Sequence, residues 1–135
     1  MTRVLVDTDV ASFHLKGDSR FSEYAAALDG KQLVLSFQSL AELLYWQELH
    51  NWGEKRRREF AEIVHQRYII YPFDELLCQC WANLRVEAQR LGNVIHPADA
   101  WIAATAVQLG IPLATHNARD FQFLSGLRLI NFPEN

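Results

Sequence analysis

Four carboxylates in this 135-residue chain stand where chemistry can be done: Asp7, Glu42, Asp99 and Asp120. Each falls where an apolar run has just ended or a helical pattern is beginning. Asp7 directly follows the run Arg3-Val4-Leu5-Val6. Glu42 lies one turn into the helical stretch behind Leu33–Leu35, and Asp99 is in the first turn after Pro97. Asp120 comes just past Thr115-His116-Asn117, behind Leu113–Ala114. In open α/β sheets ligands sit at the carboxyl edge of the strands, so a parallel sheet brings these acids to one edge. Carboxylates packed together repel, and some stay protonated at neutral pH. A bound divalent cation removes that penalty, and oxygen-only donors suit magnesium or manganese rather than zinc. Such an ion activates water and stabilises in-line displacement at a phosphodiester, in many nucleases as a pair ~3.5–4 Å apart.

Taken singly, the acids also have structural explanations. Ser39 to Glu42 is the spacing of a capping box. Asp99 complements the positive end of its helix, a reading as good as the functional one. Asn117 to Asp120 reads as a cap or an Asx-turn. Asp9 reads as the cap of the short helix behind it rather than as part of a site. Only Asp7 has no local structural duty, which favours function for it. Lys55-Arg56-Arg57-Arg58 is the one basic cluster and reads as a solvated helix face neutralised by Glu54, Glu59 and Glu62. Arg119, beside the acids in sequence, is the better phosphate contact. His96 and His116 lack metal-ligand spacing and read as loop residues.

The elements that must position these residues alternate. Strands are expected at Val4–Val6, Leu33–Leu35, Tyr68–Tyr71 and Leu113–Ala114, with a possible fifth at Leu127–Ile130. They are short apolar runs without alternation, as in strands covered on both faces. Helices are expected at Val10–Leu15, Phe21–Leu28, Ser39–His50, Glu54–Gln66, Glu75–Leu91 and Pro97–Leu109. Proline opens the last of these and Gly110 closes it. Alternating strands and helices predict a parallel sheet with helices on both sides, and the length predicts one domain over 1–135. The formal charge of −3 gives no global basic field, so nucleic-acid binding would need a local patch or metal ions. Cys78 and Cys80 point to different faces of a helix and read as two buried, unpaired thiols, which suits a reducing cytoplasm. No signal peptide and no membrane span is expected. The Leu40–Trp52 segment has more apolar surface than one helix stripe uses, and the excess marks an interaction site.

Together the segments Val4-Leu5-Val6-Asp7-Thr8-Asp9-Val10, Ser39-Leu40-Ala41-Glu42-Leu43, Pro97-Ala98-Asp99-Ala100-Trp101-Ile102-Ala103-Ala104 and Leu113-Ala114-Thr115-His116-Asn117-Ala118-Arg119-Asp120-Phe121 resemble the PIN-domain ribonucleases. The resemblance is greatest to the VapC toxins of bacterial toxin–antitoxin pairs and covers nearly the whole chain. It implies a three-layer α/β/α fold around a parallel sheet of four or five short strands. It implies a Mg2+- or Mn2+-dependent endoribonuclease with an RNA substrate, a cognate antitoxin and a homodimeric state. Residue by residue, Asp7 and Asp99 match the two most dependable metal-binding acids, Glu42 the third and Asp120 a more variable fourth. Asn117 stands where that fourth role is shared or shifted, and Thr115 matches a hydroxyl residue near the site. Asp7-Thr8-Asp9-Val10 also resembles the nucleophile motif of haloacid-dehalogenase-type phosphatases. The chain has only Lys16, Lys31 and Lys55, however, with no later lysine to neutralise a phosphoaspartate and no late pair of aspartates. A binding module without chemistry is the third reading, and the presence of all four acids argues against it.

Overall fold

The computed structural model describes residues 2–130. Five strands, β1 (Arg3–Val6), β2 (Gln32–Ser36), β3 (Tyr68–Tyr71), β4 (Leu113–Ala114) and β5 (Leu129–Ile130), form one sheet. Its order is β3-β2-β1-β4-β5, and every pairing is parallel. The six helices are α1 (Thr8–Leu15), α2 (Ser22–Leu28), α3 (Phe37–Leu49), α4 (Glu54–Arg67), α5 (Glu75–Arg90) and α6 (Pro97–Leu109). Strand β5 is two residues shorter than the sequence run suggests, and the far ends of the 1–135 span lie outside the described residues.

Strand alternation sorts the apolar side chains into two cores. Val4, Val6, Leu33, Leu35, Tyr68 and Ala114 face one side, with Val10, Phe13, Tyr24, Leu28, Phe60 and Val64 of α1, α2 and α4 packed on them. Leu5, Val34 and Leu113 face the other, against α5 and α6. The strands carry no polar alternation because both faces are covered. Helix α3 joins the two sides at the strand ends, with Phe37 packed in the second core and Leu43 in the first. Helix α6 is buried on nearly all sides through Ala100, Ile102, Ala103, Ala104, Thr105 and Ala106, the expected state of a helix apolar all round. It ends in Gly110 at φ 66°, a left-handed turn that a side chain would strain.

Two helices start earlier than their periodicity suggests. Strand β2 runs straight into α3, and Ser36 caps that helix, its Oγ accepting from the Gln38 N–H at 3.1 Å. The capping box from Ser39 to Glu42 is therefore not formed. Likewise α1 begins at Thr8 and its cap is Asp7, not Asp9. The thiols are free as expected, but Cys78 is exposed rather than buried. Its position lies outside the stripe that α5 packs through Leu77, Leu84 and Ala88.

Candidate active site

The chain order reverses its direction across the sheet between β1 and β4. A crevice opens at such a switch point beyond the strand ends. Asp7 and Thr115 are the residues that leave those two strands. The Asp7 N–H donates to the Ala114 carbonyl at 2.9 Å. The carboxylate is 5% exposed and both its oxygens are engaged. Oδ1 accepts from the Thr8 N–H at 2.7 Å, and Oδ2 accepts from the Thr115 hydroxyl at 2.7 Å. Asp7 thus has a local duty that its sequence context hides, since it caps α1. The Thr115 hydroxyl also accepts from the Asn117 N–H at 3.0 Å, so the turn after β4 is tied to the same carboxylate.

The remaining acids gather around it. Asp9, in the first turn of α1, accepts from the Asn117 amide. Asn117 therefore spends its side chain on the site rather than on an Asx-turn or a cap. Ser39, the third residue of α3, is buried and accepts from the Thr8 hydroxyl at 2.8 Å, which locks α3 to α1. One turn on, half-buried Glu42 accepts from Gln38 Nε2 at 3.0 Å. Half-buried Asp99 sits in the first turn of α6, whose cap is His96, with Nδ1 accepting from the Ala98 N–H at 3.2 Å. Asp120 closes the short turn Ala118–Asp120 and is exposed.

These carboxyls feel one another. Burial pushes Asp7 up to about 7, against the bond from Thr115, with Asp9 and Asp99 adding repulsion. Burial raises Asp99 to about 6, with Asp120, Glu42 and Asp9 adding to it. The structure therefore brings all four predicted acids together and adds Asp9. The sequence signal for Asp9 was its place two residues beyond Asp7, visible once Asp7 is read as the cap. Among the described residues none of the five forms a salt bridge. Arg119 is exposed and makes no ion pair with them. His116 is tied away from the acids, its Nδ1 2.7 Å from the Tyr24 hydroxyl.

An oxygen-only set of mutually repelling acids fits a divalent cation. Among the described residues no three His, Cys, Asp or Glu side chains form a ready-made cage. Magnesium does not require one, since it keeps several waters and takes one or two carboxylates.

Known proteins resemble this chain over nearly its whole length. The family model described as PIN domain matches residues 4–126. The VapC ribonuclease Y4jK of Sinorhizobium fredii is 31% identical over 136 residues, covering 95% of this chain and 96% of that protein. The tRNA(fMet)-specific endonuclease VapC of Shigella flexneri is 26% identical over 128 residues, covering 95% and 96%. Among solved structures, VapBC2 from Rickettsia felis bound to a DNA fragment from their promoter superposes with a TM-score of 0.84 at 22% identity. That match covers 98% of this chain and 100% of that one. The chain therefore belongs to the PIN domain family, and within it to the VapC ribonucleases. That membership makes it a nuclease and leaves no place for the phosphatase reading of Asp7.

Proposed function

We propose that this chain, over 1–135 as one domain, is a Mg2+- or Mn2+-dependent endoribonuclease acting as the toxin of a cytoplasmic toxin–antitoxin pair. The observation that carries the metal site is the group of five acids at the β1/β4 crevice, two of them raised, with no salt bridge among the described residues. A bound divalent cation would act there as a Lewis acid toward the scissile phosphodiester and would lower the pKa of a water. The chain's own part is to hold the donors. Asp7 is fixed by Thr8 and Thr115, and Asp99 by the buried body of α6. Glu42 is steadied by Gln38, and Asp120 stands at the rim. Asp7 and Asp99 are assigned as the principal ligands. Glu42 and Asp120 complete the set, and Asn117 sets the turn that carries Asp120.

The two relatives named above are a ribonuclease and a tRNA(fMet)-specific endonuclease, which supports RNA as the substrate. The Rickettsia structure is of a VapBC pair, in line with an antitoxin partner here. The exposed apolar surface on α3, formed by Leu44, Tyr45, Trp46 and Leu49, supplies area for an antitoxin and a second copy of the chain. Among the described residues no helix is long and apolar enough to cross a membrane. The test is cleavage of cellular RNA by the purified protein. Activity in Mg2+ or Mn2+ that EDTA abolishes and Asp7→Asn removes is the expected result. Parent-level cleavage by Asp7→Asn would refute the site.

A further inference from the structure

Tyr24 of α2 is completely buried, in the first core with Val10, Phe13 and Leu28. Phenylalanine would fill that apolar site equally well, and a hydroxyl buried there is costly unless it is paired. The Tyr24 hydroxyl is paired with the turn after β4. It lies 2.7 Å from His116 Nδ1 and donates to the Thr115 carbonyl at 3.4 Å. One proton arrangement serves both contacts: Nδ1–H donates to the phenol oxygen, and the phenol O–H donates to the carbonyl. The His116 ring is also held edge-on by Phe13 of α1, with centroids 5.2 Å apart.

That turn needs support from beyond the sheet. Strand β4 is two residues long, and its ladder ends where the Thr115 N–H donates to the Ile130 carbonyl at 3.0 Å. Past that point the chain carries Thr115 on Asp7, Asn117 on Asp9, and then Asp120. The Asn117 N–H leans on the Thr115 hydroxyl at 3.0 Å, so a shift of Thr115 moves both contacts together. We infer that the Tyr24 hydroxyl is a positioning group for the nuclease. Bonded to Thr115 and His116, it sets the turn so that Thr115 reaches Asp7 and Asn117 reaches Asp9. The inference rests on the nuclease reading and adds to it a residue 91 positions from Thr115 that acts only through the turn.

The test begins with Tyr24→Phe in the full chain, which removes one oxygen and keeps the ring. RNA cleavage in Mg2+ or Mn2+ should lose about 5-fold in kcat with KM unchanged. In a Thr115→Val background the same change should lower kcat less than about 2-fold, because the hydroxyl it positions is gone. In the metal-free protein the Asn117 N–H should exchange with solvent about 10-fold faster than in the parent. Leu28→Ala, a buried truncation on the same helix, should lower stability while leaving kcat and that exchange at parent values. His116→Ala should lower kcat as Tyr24→Phe does, whereas His116→Asn, whose amide can donate to the phenol, should stay within about 2-fold of the parent. Parent kcat and parent exchange in Tyr24→Phe would overturn the inference. So would an undiminished loss in the Thr115→Val background, or the same loss in Leu28→Ala, since each marks a role in stability alone. Should Tyr24→Phe fail to fold, the His116 pair decides, and equal activity in its two variants overturns the inference. Failure of the parent to cut RNA would retire the nuclease reading instead, and the exchange measurement would still decide the positioning.

Discussion

The two faces of the sheet are built differently. The α5/α6 side is almost wholly apolar, with five alanines, Ala88, Ala100, Ala103, Ala104 and Ala106, interleaved with larger residues such as Leu77, Leu84, Ile102 and Phe121. The α1–α4 side contains buried or half-buried polar pairs. His14 Nδ1 lies 2.7 Å from the Tyr68 hydroxyl, and the His116 Nδ1 lies at the same distance from Tyr24. It also leaves open a groove between α1, α3 and α4 that leads to the acids. The close-packed side fixes Asp99 with little freedom, because a helix buried all round cannot shift without opening a cavity. The other side carries the adjustable parts, and its helices are tied by specific hydrogen bonds such as Thr8 to Ser39. One side of the sheet thus supplies rigidity and the other supplies access.

The largest expected effect lies where the two sides meet. Asp7→Asn or Asp99→Asn should reduce RNA cleavage at least ~100-fold while the protein stays folded by circular dichroism. Retained activity would mean that the acids do not form one site. Next comes the α5/α6 face. Ala103→Leu forces extra methylenes against the sheet and should destabilise by about 1–3 kcal/mol in urea unfolding. A conservative exchange on the exposed face of α4, Arg58→Lys, should by contrast change stability by less than ~0.5 kcal/mol.

The third comparison uses pH. Asp7, pushed up to about 7, and Asp99, at about 6, keep protons in the folded state that the unfolded chain has lost. Folded proton uptake therefore exceeds unfolded uptake between about pH 4 and 7. Stability of the metal-free protein should fall as pH rises through that window, with Asp7 contributing at most about 4 kcal/mol. Mg2+ or Asp7→Asn should flatten the fall. His14 acts with the opposite sign. Burial lowers its pKa, so the unfolded chain gains a proton first and stability is lost as pH falls below about 6.5. Metal should leave that branch unchanged, and thermal melts across pH with and without Mg2+ separate the two.

The smallest effects concern the turn after β4. Thr115→Val removes the hydrogen bond that favours the charged form of Asp7, so the pH–rate profile should move to higher pH. Asn117→Ala releases Asp9 and should lower cleavage only ~2- to 10-fold, comparable to one lost hydrogen bond. An equal loss in both would show that the turn acts as a unit.

Much of this molecule was legible from one-dimensional patterns. Strands β3 and β4 and helix α6 lie where apolar runs, Pro97 and Gly110 place them. The errors fall at junctions. Ser36 and Asp7 each end a strand and cap a helix at once, and strand-then-helix pattern reading expects a gap between the two. The Lys55–Arg58 run illustrates the same limit. Lys55 pairs with Glu59 at 3.9 Å on its own helix, as a solvated face should. Arg57 instead pairs with Glu48 across the α3–α4 turn, and Arg56 covers Trp52.

The sequence by itself determined the residue types, the element order and therefore the expectation that Asp7, Glu42, Asp99 and Asp120 share one edge. Parallel strands must point their ends the same way. Only the tertiary structure decided that Asp9 joins them, that Thr115 and Asn117 serve two of the acids, and that the Tyr24 hydroxyl reaches the turn on which both stand. Those contacts link residues as many as 108 positions apart, and a spacing rule along the chain carries no information about distances set by packing across a sheet.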